Sequence, residues 1–129
     1  MRVKCVKIIN PSTGLVAQEN DYLTIGSEYE VLCVHFREIY SADVDARLRG
    51  LYRIETNAEI SPGLFDIRQF DTVSEKIPEY WIIEMQNNGS MYLGAKEWRT
   101  IGFWEEYFNN DVNALKIFRD VRDKILSNT

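Results

Sequence analysis

The sequence predicts a single α+β domain: a curved antiparallel β-sheet or small barrel, followed by short helices and a C-terminal amphipathic helix. Three observations carry this prediction. Apolar and polar residues alternate in several short segments over the first two-thirds of the chain, the period of half-buried strands. Turn residues such as Asn10-Pro11-Ser12-Thr13-Gly14, Pro62-Gly63 and Asn87-Asn88-Gly89-Ser90 separate those segments. Over 111–127 the apolar positions recur at steps of three and four, which is one face of a helix. At 129 residues, with no repeat and no low-complexity run, the chain reads as one domain over 1–129.

Residues 2–10 begin as a strand, Arg2 and Lys4 alternating with Val3 and Cys5, and shift phase at Val6-Lys7-Ile8 as a bulge does. Residues 15–22 fit no one element. Gly26-Ser27 opens the best candidate for a central strand, 28–36. There Tyr29, Val31, Cys33 and His35 alternate with Glu30, Leu32, Val34 and Phe36, and the strand ends apolar on both faces. Residues 37–49 suit two strand ends around a loop at 41–46, or a short helix. Residues 51–55 alternate again. The mixed spacing over 64–73 predicts one helical turn between short strands. Pro78 precedes a strand over 79–85. Asn-Gly supplies the positive φ of a hairpin turn, so 91–93 pairs back. Residues 95–98 start a helical turn and 103–108 form a short helix. Asn110 or Asp111 caps the last helix. Its apolar face is Val112, Leu115, Phe118, Val121 and Ile125, widened by Ala114, Ile117 and Leu126.

Composition narrows the function. Hydrophobic residues make up 45% and charged residues 27%, which suits a packed core. Fifteen Lys and Arg against twenty Asp and Glu leave a net charge of −5, so a general binder of phosphate backbones is disfavoured and no direct nucleic-acid contact is expected. No apolar run reaches membrane-spanning length, and the N-terminus lacks the apolar stretch of a signal peptide. A cytoplasmic protein without membrane contact is expected, and a monomer. Two cysteines, Cys5 and Cys33, and one histidine, His35, fall short of a zinc motif, so no metal site is expected. Both cysteines lie in apolar alternating segments and read as buried thiols. Cys33 and His35 face the same side of one strand, whereas a thiolate–imidazole pair usually joins two elements. No nucleophile elbow, P-loop or dinucleotide loop is present, and no catalytic residue or cofactor is assigned.

The string Leu23-Thr24-Ile25-Gly26-Ser27-Glu28-Tyr29-Glu30-Val31-Leu32 resembles the entry strand of small SH3-like β-barrels. The runs Leu64-Phe65-Asp66 with Gln69-Phe70-Asp71-Thr72-Val73, then Ile77-Pro78-Glu79-Tyr80-Trp81, then Glu97-Trp98 with Gly102-Phe103-Trp104-Glu105-Glu106-Tyr107-Phe108, resemble small bacterial immunity proteins of contact-dependent growth inhibition and related polymorphic toxin systems. The resemblance covers the chain from about residue 20 onward. It implies a cytoplasmic inhibitor that binds the toxic domain of a delivered effector, often a nuclease, without turnover or cofactor.

An acidic protein suits such a partner, because many nucleases present a basic cleft and opposite charge steers association. The densest mixture of aromatic and acidic residues is Trp98, Trp104 and Tyr107 among Glu97, Glu105, Glu106 and Asp111. Trp104, Glu105, Glu106 and Asp111 are therefore candidate partner-binding residues, with Asp43 and Asp45 of the 41–46 loop, near Glu38, as a second patch. The competing reading, favoured for Trp98 and Trp104, is that the aromatics close the core between sheet and last helix. Glu28 and Glu30 form a third acidic surface, which Arg47, Arg49 and Arg53 could pair across the strands. Arg2, Lys4 and Lys7 suit an edge-protecting role. Two other classes remain open: an SH3-like adaptor module using Tyr29, Tyr52 or Tyr92, and a small enzyme acting through carboxylates or His35.

Overall fold

The period-two segments become short strands because an extended segment must pair with neighbours to satisfy its backbone, while alternate side chains go to opposite faces. The computed structural model describes residues 1–20, 22–37, 49–87 and 89–127. The expected loop at 41–46, with Glu38, Asp43, Asp45 and Arg47 beside or within it, lies outside those residues, as does Asn88. In chain order the elements are β1 Arg2–Cys5, β2 Ile8–Ile9, β3 Val16–Ala17, β4 Glu28–Glu30, β5 Cys33–Arg37, β6 Arg49–Ile54, β7 Gly63–Asp66, β8 Phe70–Ser74, β9 Ile82–Met85, β10 Met91–Gly94, α1 Phe103–Phe108 and α2 Val112–Ser127. Two 3-10 turns, Ile67–Gln69 and Lys96–Arg99, sit at the expected helical turns. The protein is thus mixed α+β with its long helix last.

Among the described residues the strands form three antiparallel sheets: a five-stranded sheet in the order β7-β6-β5-β10-β9, a three-stranded sheet in the order β4-β1-β8, and the hairpin β2-β3. They do not close on one another as a single barrel. The segment 28–36 is not one strand. Val31 N–H donates to Met1 O at 3.0 Å and Leu32 N–H donates to Arg53 O at 2.9 Å, so adjacent amides serve different sheets. The chain passes from one sheet to the other at this point. Only its second half, β5, is central, lying between β6 and β10.

Residues 2–10 likewise divide. Val6 and Lys7 both turn their N–H groups to Gln69 O, at 2.9 and 3.3 Å, and the phase shift read as a bulge becomes a break between β1 and β2. β1 lies between β4 and β8, so Arg2 and Lys4 guard no edge; Arg2 instead meets Glu30 at 3.1 Å and Glu28 at 3.9 Å. The strand expected from 79 starts at Ile82, after a turn in which Trp81 N–H donates to Pro78 O at 3.1 Å.

Two cores result from the two faces of the larger sheet. Val34, Tyr52, Phe65 and Leu93 are cross-strand neighbours on one face and pack with Val3, Val31 and Ile54 between the sheets. Cys33 and Tyr92, on the opposite face, pack with Ala95, Trp98, Phe103 and the buried helix residues Ala114, Phe118, Val121 and Ile125. Gly94 makes this second contact close: a Cβ there would stand 2.5 Å from Cys33 Cβ and 2.6 Å from the Tyr92 hydroxyl. A smaller cluster of Cys5, Ile8 and Leu23 lies beneath β2 and β3.

Candidate functional site: the α1–α2 corner

Gly102, at φ 79°, supplies the left-handed residue from which α1 starts. Along its single turn and a half, Phe103 is buried and Trp104 and Tyr107 are half-buried, while Glu105 and Glu106 face solvent. The turn closes when Asn109 N–H donates to the Glu105 and Glu106 carbonyls at 3.0 and 3.2 Å. Asn110 then takes a positive φ of 63°, a conformation Asn tolerates better than most residues. Asp111 caps α2: its Oδ2 accepts from Ala114 N–H at 2.9 Å. The two helices therefore meet at a tight corner, and their inner faces share one aromatic cluster. Phe118 stacks on Trp98 with centroids 5.4 Å apart and lies 4.7 Å from Tyr107 and 6.0 Å from Trp104.

The predicted residues separate into two roles. Trp98, only 2% exposed, is core. Trp104 roofs Arg53, whose guanidinium carbon lies 3.9 Å from the ring centroid. Arg53 is 7% exposed, and its Nη1 donates to Pro62 O at 3.1 Å. It does not pair with Glu28 or Glu30. The aromatics thus close the interior. Glu105, Glu106 and Asp111 remain on the outside of the corner. With them stand three apolar residues that composition did not single out as a surface: Ile101 at 99% exposure, Val112 at 82%, and the partly exposed Phe108. Val112 was expected on the buried helix face, but it precedes the point where α2 reaches the sheet layer. The available signal for Ile101 was an isolated apolar residue between Thr100 and a helix-starting glycine.

Other predicted groups are committed elsewhere. Tyr52 and Tyr92 are buried, and the Tyr92 hydroxyl donates to Ala95 O at 2.7 Å; Tyr29 is half-buried and its hydroxyl accepts from Thr24 N–H at 2.9 Å. Cys5 and Cys33 are free, buried thiols. Cys33 Sγ lies 3.7 Å from His35 Nε2. Burial pushes the Cys33 thiol up to about 11, and burial together with Arg53, Arg37 and Arg99 brings His35 down to about 4. Near neutral pH this is a neutral thiol beside a neutral imidazole, the reverse of an activated nucleophile pair.

A cleft of about 420 Å³ runs between the β2–β3 hairpin and β7, lined by Ile9, Tyr22, Leu51, Ile60, Leu64 and Phe65, with Arg49, Asp66 and Arg68 among its polar residues. Burial would raise the Asp66 carboxyl, but hydrogen bonds from Arg68 outweigh it and hold it below its ordinary value. Among the described residues, no cluster of three or more His, Cys, Asp or Glu side chains is placed to hold a metal ion, and no helix is long and apolar enough to cross a membrane. Compared with known proteins, the chain matches no family model, no curated protein and no solved structure.

Proposed function

We propose that the protein is an immunity protein that binds and neutralises a cognate bacterial toxin domain, a nuclease with a basic surface, using the outside of the α1–α2 corner. One observation carries the reading: exposed Glu105, Glu106 and Asp111 share the α1–α2 corner with exposed Ile101, Phe108 and Val112. Apolar contacts accompanied by charge are the anatomy of a specific protein interface, and the carboxylates suit a basic partner. The corner is held from beneath by the aromatic cluster, so little ordering entropy is lost on binding. We also read the β-elements as SH3-like. Supporting this is their order: β1, a hairpin excursion, a segment bent between two sheets, β6, β7, a 3-10 turn and then β8 returning beside β1.

Co-expression with the product of the gene directly upstream tests the function. A tight one-to-one complex that restores growth supports it. Glu105→Lys with Glu106→Lys weakens that complex at least tenfold and flattens its salt dependence, as calorimetry across ionic strengths would measure. Failure to bind or to rescue growth rejects the immunity reading, whereas rescue with unchanged affinity in the double variant moves the interface away from the corner.

A further inference from the structure

We propose that β9 is the seam of a symmetric dimer, in which the β9 strands of two copies pair antiparallel about Ile83 and two five-stranded sheets become one. β9 is the outermost strand of its sheet, with β10 on its inner side. The hairpin determines which backbone groups are already used. Gln86 N–H donates to Ser90 O at 2.9 Å, and hydrogen-bonded positions alternate along an antiparallel ladder. In the register that pairs Glu84 with Tyr92 and Ile82 with Gly94, Ile82 and Glu84 therefore turn their N–H and C=O groups to β10. Ile83 and Met85 turn theirs outward, where no strand among the described residues meets them. Their side chains are 68% and 73% exposed. Nothing on Ile82–Met85 blunts the edge: it carries no Lys, no Pro and no break in register. Its single charge, Glu84, lies on the other face and is paired with Arg99 at 2.8 Å.

Self-complementarity selects a second copy as the occupant. Outward backbone groups at Ile83 and Met85 allow only registers that oppose odd-numbered residues. Opposing Ile83 to Met85 would bring Glu84 directly onto Glu84 at the closest spacing of the ladder, which like charges disfavour. Centring on Ile83 sets Ile83 against Ile83, Trp81 against Met85 and Ile82 against Glu84. The apolar side chains then form one stripe across the seam and the carboxylates stay apart. The paired segment ends at Trp81, whose N–H is already given to Pro78 O. This departs from the monomer expected from the sequence, and it is independent of toxin binding.

Sedimentation or light scattering of the full chain, from micromolar to near-millimolar concentration, tests the seam. The wild type shifts from the monomer mass toward twice that mass. Ile83→Lys and Ile83→Glu each set like charges at the dyad and stay at the monomer mass. Because Ile83 is exposed, both variants keep the wild-type far-ultraviolet circular dichroism. An equimolar mixture of the two regains association, since Lys then faces Glu across the dyad. A wild type that stays monomeric throughout, variants that associate as well as the wild type, or a mixture that fails to associate would each overturn the proposal. So would a heavier species that forms only with a foreign protein and is lost in Ile83→Lys.

Discussion

Arg53 shows how far a residue's surroundings can depart from its local pattern. In Leu51-Tyr52-Arg53-Ile54 the alternation marks a charge on a strand face, and cross-strand glutamates were the natural partners. Instead the helical corner covers that face, and the guanidinium is held by the Pro62 carbonyl and the Trp104 ring, with no carboxylate of the described residues paired to it. Its Nε has no partner at all. Arg53→Ala leaves a cavity and an unmet carbonyl, and urea unfolding should register a loss of about 2–4 kcal/mol. Arg53→Met, which fills the volume without a buried charge, should cost less than half as much. His35 reports on the same cation-rich face through acid stability. Its folded value of about 4 lies below its ordinary 6.5. Above 6.5 the imidazole is neutral folded and unfolded, and its environment costs nothing. As pH falls from 6.5 toward 4 the unfolded chain takes up the proton first, so stability declines by up to roughly 3 kcal/mol. In His35→Gln the denaturant midpoint should stay nearly flat across that window.

The elements legible in the sequence are those whose ends are set by their own residues. The hairpin between β9 and β10 holds, with Gly89 at φ 89° and Gln86 N–H closing on Ser90 O. The helical turn between short strands appears as β7, Ile67–Gln69 and β8 because Asp66 caps it locally by accepting from Arg68 N–H at 2.9 Å. The last helix follows from its period, and its cap is Asp111. Asp111→Ala should therefore cost about 1 kcal/mol in thermal or urea unfolding, and Asp111→Asn much less, since Asn caps nearly as well. The division of 28–36 into β4 and β5 was not legible. It depends on where the amides of Val31 and Leu32 find acceptors, and those acceptors, Met1 and Arg53, are distant in sequence. Likewise β1 could not be told from an edge strand, because its neighbours β4 and β8 come from further along the chain.

At the scale of the whole molecule, α2 is the lid of the second core. It covers Trp98, Tyr107 and the face carrying Cys33 and Tyr92 through Ala114, Phe118, Val121 and Ile125. A chain ending before Val112 exposes that aromatic cluster to water. It should bind a hydrophobic dye and lose cooperative thermal unfolding, while Phe118→Ala in the full chain should unfold cooperatively with a loss of about 3–5 kcal/mol. The candidate site divides along the same line. That acidic and aromatic residues concentrate over 97–111 is visible in the composition of that stretch. Which of them meet a partner is not, because a helix turn can present either set outward until something packs against one of them. By itself the sequence determined the α+β class, the turns, the capped last helix and the acidic balance, all of which arise from local dihedral preference, periodicity and charge. Only the tertiary structure decided the sheet switch at Val31–Leu32, the burial of Arg53 beneath Trp104 and the exposure of Ile101, Val112 and Ile83, because burial and backbone pairing depend on residues far apart in the chain.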